Sequence, residues 1–258
     1  MNDATSAPLN PQILTRADGA AIAYHKSEGK SPGIVFLSGY MSDMTGGKAL
    51  FVEQVCKSRG QAFLRFDYTG HGQSSGRFID GTIGQWAADA VFAIDELTEG
   101  QQILIGSSMG GWIMLLAALA RPERIAGMIG IAPAPDFTED LLAGGLTPEQ
   151  RETMAKGGVV YVDSEYGPDP TPFTKALIED GREQLLLRSK IPLACPVRII
   201  QGMNDPDVPW QTALRLAQVL DSDDVEIQLI KAGDHRLSDQ PDLKRLERTL
   251  ETLLDRTT

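Results

Sequence analysis

Two hydrophobic rhythms take turns along this chain. Short apolar runs at residues 33–37, 62–66, 103–105, 125–131, 197–200 and 225–230 are of strand length. The run 33–37 is apolar throughout, as a strand covered on both faces must be. Between these runs, residues 46–59, 82–97, 112–120 and 210–220 carry apolar side chains at helical spacing, for example Ile83, Trp86, Ala87, Ala90, Ile94 and Leu97. Near the carboxyl end Leu243, Leu246, Leu250, Leu253 and Leu254 form the docking stripe of a last helix. Strands and helices in alternation predict an α/β fold, a mostly parallel sheet with right-handed crossovers and helices on both faces. At the amino end, residues 13–15 and 20–24 flank Asp18-Gly19, a hairpin signal, and predict an antiparallel edge.

The rhythm breaks once. Residues 133–192 hold no convincing apolar strand, which predicts an insertion between two parts of one core, residues 1–132 and 193–258. Inside it, Thr147-Pro148-Glu149-Gln150 reads as a helix start, with Thr147 as cap, Pro148 in the first turn and Gln150 closing the box. A second helix is predicted from Thr171-Pro172-Phe173, carrying Phe173, Ala176, Leu177 and, past Gly181, residues 185–187. The expectation is a small helical lid.

What the lid would cover is the turn Ile105-Gly106-Ser107-Ser108-Met109-Gly110-Gly111-Trp112, a strand running sharply into a helix. Gly-x-Ser-x-Gly falls on Gly106, Ser108 and Gly110, where side chains would collide between two backbones that nearly touch. Ser108 is thereby pushed out at the tip, and the first N–H groups of the helix point at the same spot, ready for a negative oxygen. Ser107 fails this test, because its flanking positions would be Ile105 and Met109.

Order along the chain adds more than any one motif. Asp205 follows the next-to-last strand and His235 the last one, so Ser108, Asp205 and His235 run in the order of an α/β-hydrolase triad. In a parallel sheet the carboxyl ends of the strands face one way, and the three loops can converge on one crevice. Asp207 competes with Asp205 for the acid, and Gly-x-x-Asp-x-x-Val-Pro favours Asp205. The loop Ser38-Gly39-Tyr40 lies where a second oxyanion donor is needed, and the backbone N–H of Tyr40 is the candidate. His71, between two glycines, has no ligand-type residue at matching spacing and reads as loop structure.

Composition narrows the class. A chain of 258 residues suffices for one large domain that buries roughly 70–75% of its unfolded surface. A net charge of −11 repels phosphate backbones and anionic headgroups, so nucleic acid and nonspecific membrane binding are excluded as expectations. Cys56 and Cys195 make no disulfide framework, and no spacing suggests a metal. No run reaches the ~18 apolar residues of a membrane span. Residues 1–12 lack a basic segment followed by an apolar one, as a secretory signal requires. A reducing, cytoplasmic location is the expectation.

The chain resembles the α/β-hydrolases throughout, and several stretches resemble the mitochondrial palmitoyl-protein thioesterase subgroup of animals, which also acts on acyl glucuronides. These are Gly39-Tyr40-Met41-Ser42, Cys56-Lys57-Ser58, Arg65-Phe66-Asp67-Tyr68, Gly106-Ser107-Ser108-Met109-Gly110-Gly111-Trp112, Asp205-Pro206-Asp207-Val208-Pro209-Trp210 and Asp234-His235-Arg236. The resemblance implies Ser108 as nucleophile, Asp205 and His235 as its partners, and the N–H groups of Tyr40 and Met109 as oxyanion donors. No mitochondrial presequence is expected from residues 1–12, and much of the lid departs from the subgroup. The expected function is hydrolysis of carboxylic esters or thioesters through an acyl-enzyme, without metal or organic cofactor. Expected substrates are small acyl esters or thioesters, with acylated protein as a further candidate. Rival readings are a cofactor-free perhydrolase, a C–C hydrolase or a ligand receptor with an idle triad. Dehalogenase and epoxide hydrolase are disfavoured, because their elbow carries Asp.

Overall fold

Each apolar run becomes a strand, and the strands lie side by side. A computed structural model of the protein describes residues 10–163 and 169–257. Its strands are Gln12–Thr15 (β1), Ala21–Ser27 (β2), Lys30–Leu37 (β3), Gln61–Phe66 (β4), Gln102–Ser107 (β5), Ile125–Ile131 (β6), Val159–Val162 (β7), Thr171–Thr174 (β8), Val197–Gly202 (β9) and Val225–Ile230 (β10). Eight of them form one sheet in the order β1-β2-β4-β3-β5-β6-β9-β10, and β7 pairs with β8 alone. The β1–β2 hairpin is antiparallel, as is the β2–β4 pairing, while β4, β3, β5, β6, β9 and β10 run parallel to one another. The amino-terminal reading falls partly on residues 1–9, which lie outside the described residues.

The helices are Gly47–Arg59 (α1), Ile83–Leu97 (α2), Met109–Ala120 (α3), Pro148–Ala155 (α4), Lys175–Glu183 (α5), Gln211–Val219 (α6) and Gln240–Thr257 (α7). Alternation along each strand sorts the core into two layers. Val35, Leu37, Leu64, Leu104 and Ile199 face α2, α3 and α6. Ile34, Phe36, Ile103, Ile105 and Ile200 face α1 and the leucine stripe of α7. Trp86 and Trp112 are fully buried, and each indole N–H has a partner, Thr69 O at 3.0 Å and Gln184 O at 3.1 Å. Truncation of either ring would cost about 3–5 kcal/mol.

Strand order reverses beside β3: the chain steps from β3 outward to β4, then returns to place β5 on the other side of β3. A crevice at the carboxyl ends of the strands belongs at such a switch point.

The segment 133–192 departs from its expected form in two places. The capping box at α4 is present, with Gln150 N–H donating to Thr147 Oγ1 at 3.2 Å and Thr147 N–H to Gln150 Oε1 at 2.9 Å. Thr171-Pro172-Phe173, however, starts no helix: it lies in β8, and α5 begins only at Lys175, capped by Thr174 accepting from Leu177 N–H at 3.1 Å. The β-branched threonines suit a strand, and Pro172 can sit in a short two-stranded ribbon where its missing donor has no cost. Residues 185–187 likewise leave the helix, and the N–H groups of Leu186 and Leu187 donate to the Asp136 carboxylate at 2.8 and 2.9 Å. The segment 133–192 is thus helical with a β-ribbon, not helical alone.

Candidate active site

Three backbones meet at the turn between β5 and α3. A Cβ on Gly106 would fall on the carbonyl of Gly110, and one on Gly110 would fall on the carbonyl of Leu37, so neither position admits a side chain. Ser108 sits between them at φ +54° and ψ −121°, a backbone conformation costing about 1–3 kcal/mol for a residue other than glycine. It is held there by backbone bonds: Ser108 N–H donates to Ile131 O at 2.9 Å, and Ser108 O accepts from Ala134 N–H at 3.0 Å and, within the turn, from Gly111 N–H at 2.8 Å. The result is a hydroxyl aimed away from both elements.

Two further loops reach that hydroxyl. His235, after β10, points Nε2 at Ser108 Oγ from 2.9 Å, and its Nδ1 lies 2.8 Å from Asp205 Oδ2. The Asp205 side chain is fully buried and the His235 side chain 13% exposed. Burial by itself would raise the Asp205 carboxyl. The bond to His235, its charge and the N–H groups of Val208 and Asp207 outweigh that and leave it below the usual carboxylate range. Those two N–H groups donate to Asp205 Oδ1 at 2.9 Å each, and Gln201 Nε2 donates to Oδ2 at 3.0 Å. Asp207 itself is exposed. Asp205, Asp207 and His235 also bring ligand-type atoms within 4.8 Å of one another, but both ring nitrogens of His235 already face Asp205 and Ser108.

The loop after β3 presses on the elbow. A Cβ on Gly39 would stand 3.3 Å from Ser107 O and 3.4 Å from Ser108 Cβ. Asp67 fixes this loop from β4, accepting from Met44 N–H at 2.7 Å while its other oxygen accepts from Gln73 N–H at 2.8 Å. Tyr40 follows Gly39. Its ring packs among Phe78, Phe137 and Trp86 and stacks on Phe173, and burial raises its phenol well above the usual range. Met109 opens α3, so its N–H has no acceptor within the helix. His71 meets two of the same rings, wedged edge-on against Tyr68, Phe78 and Trp86, with burial lowering its pKa to about 4.

Gln201 escaped the reading of the sequence. Its signal is an amide directly after the strand-length run 197–200, and the structure buries it fully.

Fold and site together define a hydrolase of the α/β class. The sequence pattern of the hydrolase family described as serine aminopeptidase, S33, matches residues 31–170, and the chain belongs to that family. Palmitoyl-protein thioesterase ABHD10, mitochondrial, of Mus musculus is 42% identical over 248 residues, covering 95% of this chain and 82% of the relative. The Homo sapiens protein of that name is 42% identical over 245 residues, covering 95% and 80%. Among solved structures, a hydrolase of Agrobacterium vitis S4 superimposes with a TM-score of 0.91 at 41% identity over 96% of this chain and 99% of that one. Alpha/beta hydrolase domain-containing protein 10 from mouse does so with a TM-score of 0.88 at 42% identity over 96% and 99%.

Proposed function

We propose that this protein hydrolyses carboxylic esters or thioesters through an acyl-enzyme on Ser108. The observation that carries the reading is the unbroken hydrogen-bonded line from Asp205 through His235 to a serine held at a strained elbow. In the first step Ser108 Oγ attacks the acyl carbonyl while His235 Nε2 takes its proton. Asp205 keeps the imidazole in the required tautomer and offsets its positive charge. The oxyanion is received by the N–H groups of Tyr40 and Met109, each worth about 10²–10³ in rate. His235 then hands its proton to the leaving group. Water, activated by the same ring, attacks the acyl carbonyl and releases the acid.

The thioesterase relatives support an acyl thioester as one substrate, and the α/β-hydrolase site serves an ester by the same steps. We read residues 133–192 as a lid, supported by the contacts of Phe173 and Phe137 with Tyr40 beside the elbow. The test is a chain-length series of chromogenic acyl esters and acyl thioesters, each in excess over the enzyme and followed from the first turnover. A burst of leaving group equal to the enzyme, followed by steady turnover and accompanied by an acyl adduct on Ser108, is expected. A single slow turnover with no adduct would instead mark a receptor with an idle triad.

A further inference from the structure

Lys48 breaks a local rule. It stands in the first turn of α1, where the helix dipole disfavours a cation, and that turn carries no acidic residue to offset it. Local violations of this kind concentrate at functional positions. Its ammonium turns away from the helix and donates to the carbonyl of Arg236, the residue after His235, and to Ser238 Oγ at 3.3 Å. The loop it grips spans the nine residues 231–239 between β10 and α7 and includes Leu237 at φ +44°. Within that loop Leu237 N–H donates to Asp234 Oδ1 at 2.8 Å, and Ser238 Oγ donates to the Arg236 carbonyl at 2.9 Å.

We propose that Lys48 is a positioning residue for the hydrolysis argued above: by clamping the Arg236 carbonyl and the Ser238 hydroxyl to the start of α1, it fixes the His235 imidazole between Asp205 and Ser108. The inference rests on that proposed reaction. Lys48 acts through the loop, by its bonds to the Arg236 carbonyl and Ser238 Oγ. The groups that face it are Asp234 and Arg236 in the loop and Asp242 at the start of α7. Burial lowers its pKa to about 8, Asp234 and Asp242 opposing and Arg236 assisting. An uncharged amine grips a carbonyl more weakly than an ammonium, so the clamp loosens as pH rises through that value.

The experiment compares the full chain with Lys48→Met, Lys48→Arg and Ser108→Ala, following kcat, KM and the rate of fluorophosphonate labelling from pH 6 to 10. Lys48→Met is expected to lower kcat and the labelling rate about ten- to hundredfold with KM nearly unchanged, the effect of an imidazole misplaced by about 1 Å. Lys48→Arg, which stays charged throughout, is expected to restore most of kcat and to lose the alkaline fall near pH 8 expected of the parent chain. If Lys48→Met turns over like the parent, or if Lys48→Arg keeps the same alkaline fall, the inference is overturned. Either outcome leaves the proposed reaction standing so long as Ser108→Ala is inert. Activity surviving in Ser108→Ala would overturn the reaction itself.

Discussion

Tyr40 Oη donates to the carbonyl of Pro172 at 2.6 Å, across 132 residues of sequence. The bond ties the loop after β3, which presses on the elbow, to the β-ribbon of the insertion, and the Tyr40 ring stacks on Phe173 with centroids 5.2 Å apart. One side chain therefore links the candidate oxyanion donor to the segment proposed as a lid. Tyr40→Phe removes the bond and keeps the stacking, a loss of about 1 kcal/mol. Hydrogen exchange of β8 amides is expected to quicken about fivefold, with global unfolding little changed. Unaltered protection of β8 would show that the bond does not hold the ribbon.

Two adjacent serines offer an internal control. Ser107 ends β5 buried, while Ser108 faces the His235 ring. A fluorophosphonate is expected to label the parent chain and Ser107→Ala, and to leave Ser108→Ala unmodified, as intact-mass measurement would record. Labelling of Ser108→Ala at the parent rate would place the nucleophile elsewhere.

The two carboxylates of the loop after β9 separate by their bonds. Asp205 meets the imidazole, and Asp207 lends Asp205 its backbone N–H. Asp205→Asn is expected to lower kcat by about 10⁴-fold, since an amide no longer selects the working tautomer. Asp207→Asn keeps that N–H and is expected to stay within about threefold of the parent, ordinary for an exposed substitution. A steady-state comparison in which Asp207→Asn is the crippled variant would reverse the assignment.

His71 predicts a stability signature of its own, separate from the line Asp205–His235–Ser108. Burial lowers its pKa from 6.5 to about 4, against a weaker upward pull from the Thr69 carbonyl and Asp43. In the unfolded chain the ring takes up a proton near pH 6.5, and in the folded chain only near pH 4, so its contribution is complete above 6.5 and falls as pH drops between the two. The full loss is about 3 kcal/mol. Asp67, Asp89 and Asp136 are raised by burial and titrate the other way, so the signature is read as a difference. Denaturant unfolding of the parent and of His71→Gln, followed from pH 7.5 to 4, is expected to give curves whose separation changes by that amount. A constant separation would mean that His71 is accessible to protons in the folded state.

Much of this protein was legible one stretch at a time. The buried strands, the amphipathic helices, the box at Thr147 and the Gly-Ser-Gly turn are local devices, each written in residues a few positions apart. Where local signals compete, the local pattern misleads: Thr171-Pro172-Phe173 resembles a helix start until Val159–Val162 is available as a partner strand. Gln201 and Lys48 carry a local signal without a role attached, because a single polar residue acquires its meaning from what lies across from it.

The sequence by itself determined the strand and helix periods, the strained turn that exposes a serine, and the chain order of hydroxyl, carboxylate and imidazole. Only the tertiary structure decided which carboxylate meets the imidazole, that the ring reaches Ser108 across 127 residues, and that Tyr40 and Lys48 brace the two loops around it. The division has a physical cause. Periodicity reports which face of an element is buried, whereas hydrogen bonds between distant loops depend on how strands register in the sheet and how each loop turns back toward it.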